Sequence, residues 1–421
     1  MSLTADCEPV RIGRHEELNS VSVVSIVKLA DGDVKRTVRR ALRLCGVLES
    51  LHWEGATVLV KPNACAPVAS GSGIVTDVRV VEAVTEIVLE RNPARVVIGD
   101  GSSVGYVFPD NQDSMSCLRV AGYADVSERL DVELIDLNRD IMVQVHAPDA
   151  FVMDSFSVAK TVLDADIVID LPVIKTHLRT GITCGLKNMK GVLPGDEKKL
   201  PHRLGLDRAI VDLNRAVKPT LTVVDAIMGA QGSWGVVGEP DGVPLESIIA
   251  GSDVVAVDAV SAAVAGFDPQ EILHVKLAAE ANLGVADLSR IEIKGERIES
   301  VRRPFIPFLQ AARELFGGAT VIEKSACTGC MGECVSAFIY LNKAGFSHRL
   351  PELKLIMGMP DEVPLAQETP VIVGRCSKEH QHLGVFVAGC PPHGISITKG
   401  ICEALGIDWD GVHRTVVELH G

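Results

Sequence analysis

Short β-branched runs bounded by Gly, Asp or Pro recur along the chain, at Val21 to Leu29, Ala56 to Val60, Arg95 to Gly99, Val132 to Asp136, Asp166 to Leu171 and Leu221 to Ala226. They read as buried strands. Between them apolar residues return at three- and four-residue steps, as at Leu206, Ala209, Ile210, Leu213 and Val217, which is helical spacing. Strands alternating with helices imply βαβ units, parallel pairing and helices on both faces. Residues 1–303 are therefore expected to form a doubly wound, mostly parallel α/β body, with lobes 1–150 and 151–303 as an alternative division. Its ligands belong at the C-terminal ends of the strands. After the charged segment Glu296 to Arg303, Pro304 and Pro307 interrupt the chain before a short helix, Leu309 to Phe316. Strands expected at Leu353 to Met357, Val371 to Gly374 and Val385 to Ala388 make residues 304–421 a second, smaller α/β unit.

Composition narrows the partners. At about 150 residues per domain, 421 residues predict two or three domains. A net charge of −14 repels polyanions, and an aromatic share of 4% leaves few platforms for base stacking. No nucleic-acid partner is expected, and a small molecule or a protein fits better. The longest apolar candidate for a membrane span, Val254 to Phe267, is too short and is interrupted by Asp258, so no membrane partner is expected either. The first twenty residues lack the basic and apolar regions of a secretory signal. Eleven cysteines, an odd number unevenly spread, argue against a disulfide framework and for a reducing cytoplasm.

Five of those cysteines, Cys327, Cys330, Cys334, Cys376 and Cys390, fall within positions 327–390 of the second unit. Cys327 and Cys330 stand in CTGC, a spacing that lets two thiolates grip one metal centre, and Cys334 follows one helical turn later. Cys376 and Cys390 each follow an expected strand, and Cys390 precedes Pro391 and Pro392. Soft thiolates without an imidazole in the same motif favour an iron–sulfur cluster; a structural zinc site and inert buried thiols are the alternatives. CTGC, a cysteine after a strand and Gly, and then GCPP are similar to the proximal-cluster domain of the nickel–iron hydrogenase small subunit and the related cluster subunit of respiratory complex I. The resemblance covers about the last hundred residues. It implies a 4Fe–4S cluster held by Cys327, Cys330, Cys376 and Cys390. Cys334 departs from the pattern, as a replacement for Cys376 or as a spare thiol.

In the body, the segment that starts at the end of the strand Asp166 to Leu171 gathers Lys175, His177, Lys187, Asn188, Lys190 and His202 among Gly181, Gly185, Gly191 and Gly195. Clustered cations in an acidic protein need an anion to face, and glycines let backbone approach it. A small carboxylate or phosphate is the expected ligand, with a solvated basic loop as the alternative. Lys61 and Asn63 follow another strand onto the same edge. GDGSSVG, with Asp100 and Gly101, is either a phosphate loop or a plain turn. Asp225 and Asp258 are expected as helix caps. His380, His382 and His393, near the cysteines, are expected in supporting or surface positions.

VKPN with Lys61, Pro62 and Asn63, then Thr76 and Asp77, GDGSSVG, KTH at Lys175 to His177, and GLKNMKG from Gly185 make residues from about 20 to 300 resemble domain of unknown function family 362. Members of that family are often joined to iron–sulfur domains. The order His177, Gly181, Gly185, Lys187, Pro194, Gly195, His202 is also distantly similar to the lactate racemase family. That similarity implies a nickel-pincer nucleotide, with His177 as acid/base, Lys187 holding the cofactor and His202 on nickel. The expected function is an iron–sulfur redox enzyme. It would act on a small anionic substrate at Lys175, His177 and Lys187, with Lys61, Asn63, Asp100, Gly101, Asn188 and His202 binding the ligand or cofactor and an electron-transfer protein as partner. The alternatives are a racemase and a non-catalytic binding protein stapled by metal.

Overall fold

A computed structural model of the protein describes residues 21–103, 114–195, 197–232, 241–308, 310–311, 315–324, 326, 328–361 and 369–420. The body contributes strands β1 (Ser22–Lys28), β2 (Thr57–Pro62), β3 (Arg95–Asp100), β4 (Glu133–Asp136), β5 (Met142–His146), β6 (Ser155–Ala159), β7 (Ile167–Leu171), β8 (Val173–His177), β9 (Gly181–Thr183), β10 (Leu221–Gln231), β11 (Asp241–Gly251) and β12 (Ile291–Gly295). One sheet runs in the order β12-β1-β11-β10-β7-β2-β3-β4, with β8 joined to β10 and β9 to β8. Strand β11 pairs antiparallel with both β1 and β10, β8 and β9 are antiparallel, and the other pairs in this sheet are parallel. All six expected body strands are present, and β10 extends five residues past Ala226.

Successive strand residues point to opposite faces, and here both faces are apolar. Val58 and Val60, Val96 and Ile98, and Ile167 and Ile169 enter a core shared with the helices Val34–Leu44 and Val78–Leu89. Their neighbours Leu59, Val97 and Val168 face a separate core on the other side. Val224 and Ile249 likewise join the helix Val254–Val264 while Val223 and Ile248 face the first core. Burial on both faces explains the uninterrupted apolar runs and produces the doubly wound arrangement. The Val254–Val264 stretch is a helix buried on every side. Among the described residues no helix is long and apolar enough to cross a membrane.

The second unit holds a four-stranded parallel sheet in chain order, β13 (Thr320–Ile322), β14 (Lys354–Met357), β15 (Val371–Val373) and β16 (Val385–Val387). The helices Thr328–Lys343 and Gly394–Leu405 share its core. The helix expected over Leu309 to Phe316 falls on residues that are only partly described. Phe305 packs in the core of the body and Phe308 in that of the second unit, so the chain changes cores just past the expected boundary at residue 303.

Asp258 is fully buried, and its carboxylate accepts hydrogen bonds from the backbone N–H groups of Gly185 (2.7 Å) and Leu186 (3.0 Å), opening the short helix Gly185–Asn188. Asp225 accepts from the N–H groups of Asp77 and Ile227. Both are thus backbone acceptors, and Asp258 caps a helix from a distant element. Asp258→Ala would leave two buried donors unmatched and is expected to lower stability by about 2–4 kcal/mol. Urea unfolding reads this directly, and an unchanged midpoint would show that the carboxylate does not hold the turn.

Candidate functional site at the sheet switch point

From β2 the chain builds outward through β3 to β4, and from β7 it builds the other way to β10. The sheet therefore reverses between β2 and β7, the place where an open α/β sheet leaves a crevice beyond its strand ends. Their register sets Lys61 beside Asp170 and Pro62 beside Leu171. Pro172, which has no N–H to give a ladder, separates β7 from β8. Strand β8 then continues along β10 and turns back into β9 as a hairpin, with His177 opposite Gly181 at its tip. Gly181 has φ +73, a backbone conformation that favours glycine.

Beneath the crevice lies a buried polar network. Lys175, 2% exposed, donates from Nζ to Asn63 Oδ1 (2.9 Å), to the Ile74 carbonyl and to Cys65 Sγ (3.3 Å). Asn63 Nδ2 donates to Asn188 Oδ1 (2.7 Å), and Asn188 Nδ2 donates to Asp170 Oδ1 (2.7 Å) and the Pro62 carbonyl (3.3 Å). Asn188 thereby ties the ends of β2 and β7 together. Burial raises the Asp170 carboxyl to about 8, so at neutral pH it is protonated and adds no charge. Lys61, fully buried, pairs with Asp100 at 2.9 Å, and Asp100 also accepts from the Ala64 N–H at 2.7 Å.

This placement revises the expected division of labour. Lys61, Asn63, Asp100, Asn188 and Lys175 are interior groups that shape the crevice floor. Gly101 is packed close because a Cβ there would collide with Asn138, the Lys198 ammonium and the Gly191 carbonyl. Lys198 caps that loop by donating to the Ser102 carbonyl at 2.9 Å. GDGSS is therefore a tight strand-end turn closed by side chains; Val104 and Gly105 of that motif lie outside the described residues.

The half-buried groups above this floor are His177, Arg179, Lys187, Lys190 and His202. His177 Nδ1 accepts from the backbone N–H groups of Arg179 (3.0 Å) and Thr180 (3.3 Å). Burial, and then the charges of Lys187, His202, Lys190 and Lys175, push its pKa well below the ordinary value. The ring is therefore neutral with its proton on Nε2, a hydrogen-bond donor for a ligand oxygen. Lys190 Nζ lies 2.7 Å from His202 Nε2. Burial, followed by Lys190, Arg179 and Lys187, lowers His202 to about 2, leaving a neutral imidazole that accepts from Lys190. Lys187 has no hydrogen-bond or ion-pair partner among the described residues. Burial, then the Lys175 charge, lowers it to about 7. Mutual repulsion among these cations is the signature of a site that an anion would neutralise.

In the second unit, the loops after β15 and β16 carry Cys376 and Cys390 side by side, joined by the Arg375 N–H donating to the Gly389 carbonyl at 2.9 Å. Gly374, with φ +85, faces Cys330, whose Sγ would lie 2.7 Å from a Cβ at that position. Cys330 thus reaches the same strand ends, and Cys327 lies outside the described residues. Cys334 is fully buried in the core, where burial pushes its thiol well above the ordinary value. Among the described residues no three His, Cys, Asp or Glu side chains stand close enough to hold a metal ion, so the described part of the unit supplies adjacent loops rather than a closed cage. His393 accepts from the Ile395 N–H at the start of the helix Gly394–Leu405; His380 lies near the Pro360 carbonyl and His382 near that of Glu379. The two units meet at the crevice, where Leu178, next to His177, packs against Gly332 in the helix that carries Cys330 and Cys334.

Fold and side-chain placement define an open-sheet α/β protein with a cluster of half-buried cationic side chains beside its switch point. Residues 58–263 match the family model described as Domain of unknown function (DUF362). A thylakoid-associated protein of Synechocystis sp. is 28% identical over 274 residues, spanning 64% of this chain and 80% of that protein. Among solved structures, the lactate racemase apoprotein of Thermoanaerobacterium thermosaccharolyticum is 12% identical with a TM-score of 0.39, covering 60% of this chain and 59% of its own. A structural-genomics protein of Thermotoga maritima is 13% identical with a TM-score of 0.35, covering 78% of this chain and 70% of its own.

Lys187 supplies a pH test of the crevice. Its ammonium is present below about 7 and lost above it. Sulfate, a dianion throughout, is expected to bind more tightly at about pH 6 than at about pH 8, weakening by at most about tenfold per unit above neutrality. Lys187→Met should remove most of that slope in a calorimetric titration. A slope unaltered by the substitution would remove Lys187 from the anion site.

Proposed function

We propose that the protein is a redox enzyme that binds a small anionic substrate in the switch-point crevice and carries a 4Fe–4S cluster on its second unit. The observation that carries the substrate half is the unpaired Lys187 ammonium among Lys190, Arg179 and the neutral His177 ring, all half-buried in a chain of net charge −14. Lys187 would hold the anionic group, and the His177 Nε2–H would donate to a second oxygen and orient it. Lys175 holds the loop after β2 in place from below. In this arrangement His177 serves as hydrogen-bond donor, since its other nitrogen is committed to backbone N–H groups.

For the cluster, the supporting observation is the cradle at the ends of β15 and β16, where Gly374 makes room for Cys330 Sγ beside the loops of Cys376 and Cys390. Cys330, Cys376 and Cys390, with Cys327, are the residues that would hold it, while Cys334 is taken up by the core. A bound cluster would supply one-electron chemistry. Contact between Leu178 and Gly332 puts the substrate hairpin against the helix bearing Cys330, which favours a coupled role over two independent ones. The exposed Cys376 and Cys390 edge is where an electron-transfer protein would dock. A nickel role for His202 has less support, because Lys190 already engages its Nε2.

Anaerobically purified protein is expected to be brown and to contain about four irons per chain. Cys330→Ser and Cys390→Ser should each lose colour and iron. Gly374→Ala should do the same by displacing the Cys330 sulfur, whereas Cys334→Ser should keep both. Zinc in place of iron, or colour that survives Cys390→Ser, would overturn the redox reading.

A further inference from the structure

The cysteine-bearing segments of the second unit are tied to one another by a closed ring of hydrogen bonds. The segment that leads into the Cys330 helix is held by the loop after β14, where the Met359 N–H donates to the Lys324 carbonyl at 2.7 Å. That approach is close, since a Cβ on Gly358, at φ +82, would collide with the Lys324 carbonyl and the backbone of Ala326. The Gly358 carbonyl in turn accepts from Ser377 Oγ at 2.9 Å, and Ser377 is fully buried and directly follows Cys376. On the other side of Cys376, the Arg375 N–H donates to the carbonyl of Gly389, which immediately precedes Cys390. Past Cys390, the Gly394 N–H donates to Glu333 Oε2 at 2.7 Å. Glu333 lies on the helix Thr328–Lys343 about one turn after Cys330, and the ring closes there.

Two of these links are made by side chains, and both join segments distant in sequence. Ser377 reaches Gly358 across 19 positions and Glu333 reaches Gly394 across 61. Thiolates brought to one centre repel one another, and loops free to relax would carry them apart. Loops already fixed bind with less loss of freedom.

We propose that Glu333 and Ser377 are positioning residues that hold Cys330, Cys376 and Cys390 in one arrangement before a soft metal or cluster is bound. Which cofactor fills the site rests on the cluster reading given above; the positioning rests on the hydrogen bonds. Ser377 locks the Cys376 loop to the loop after β14, and Glu333 locks the far end of the Cys390 loop to the helix of Cys330.

Cadmium, a soft ion that needs no cluster assembly, tests the positioning on the metal-free full chain through its thiolate charge-transfer absorbance. Cys390→Ser marks the part of that signal that belongs to these thiols. Glu333→Ala and Ser377→Ala are each expected to weaken cadmium binding by about tenfold, as loss of the groups that orient metal ligands does. Glu333→Gln keeps a carbonyl oxygen for the Gly394 N–H and should bind as the parent chain does. Fully buried Cys334, unlabelled by a thiol reagent, would certify that each variant is folded. Should Glu333→Ala expose Cys334, Glu333→Asp, too short for the same bond, carries the test. In anaerobically purified protein, both alanine variants should release iron to a ferrous chelator about tenfold faster than the parent. Cadmium affinity and iron release unchanged in an alanine variant would remove that residue from the positioning role and leave the cluster in place. Glu333→Gln as weak as Glu333→Ala would overturn the role of the Gly394 hydrogen bond. A parent chain without iron, whose cadmium binding still falls in the alanine variants, would remove the cluster and keep the positioning.

Discussion

An ammonium removed from water must be given acceptors, and Lys175 shows how much of this molecule is arranged around that requirement. Its nitrogen is reached by Asn63 from the end of β2, by the Ile74 carbonyl from the loop beyond it, and by Cys65 between them. Lys175 itself arrives on β8, which is separated from β7 by Pro172 and carried along β10. The charge thus anchors the loop after β2 to the strand that leads into the hairpin. Asn188 then closes the gap between β2 and β7. The floor of the crevice is a hydrogen-bonded unit, and the groups above it inherit its geometry.

Two kinds of cation follow from two kinds of burial. Lys61, Lys175 and Lys198 are fully enclosed and matched to carboxylate, amide or carbonyl oxygens. Lys187 and Lys190 are half-buried, and their neighbours are largely other cations and neutral imidazoles. The first set stabilises an interior and the second leaves positive potential unspent. Both sets come from the same Lys-rich segments, so residue type alone does not separate them.

The main architecture was legible because each central strand is buried on both faces and reads as an apolar run. Strand β11 was not legible: Pro244 and the alternating polar residues of DGVPLESIIAG break the run, and its antiparallel pairing has no signature in a βαβ pattern. The hairpin of β5 and β6 was missed because it lies outside the main sheet and is only partly buried. At the crevice, the segment from Lys175 to His202 was found from its glycines and cations. The placement of Lys61, Asn63 and Asp100 inside the protein was not, since a strand-end lysine reads the same whether it points to a ligand or to a buried aspartate. The contact of Cys65 with Lys175 left no sign either, because only the fold brings together residues more than a hundred positions apart.

Phe305 and Leu178 bear on how the molecule is divisible. Phe305 lies beyond the last strand of the body yet fills its core, with its ring at the spot a Gly229 Cβ would occupy. Leu178 lies within the body yet borders the core of the second unit. Excision at residue 303 would therefore remove a plug from one part and strip the cover from a leucine beside His177. Each unit completes a surface of the other, so neither would keep the same apolar faces covered alone.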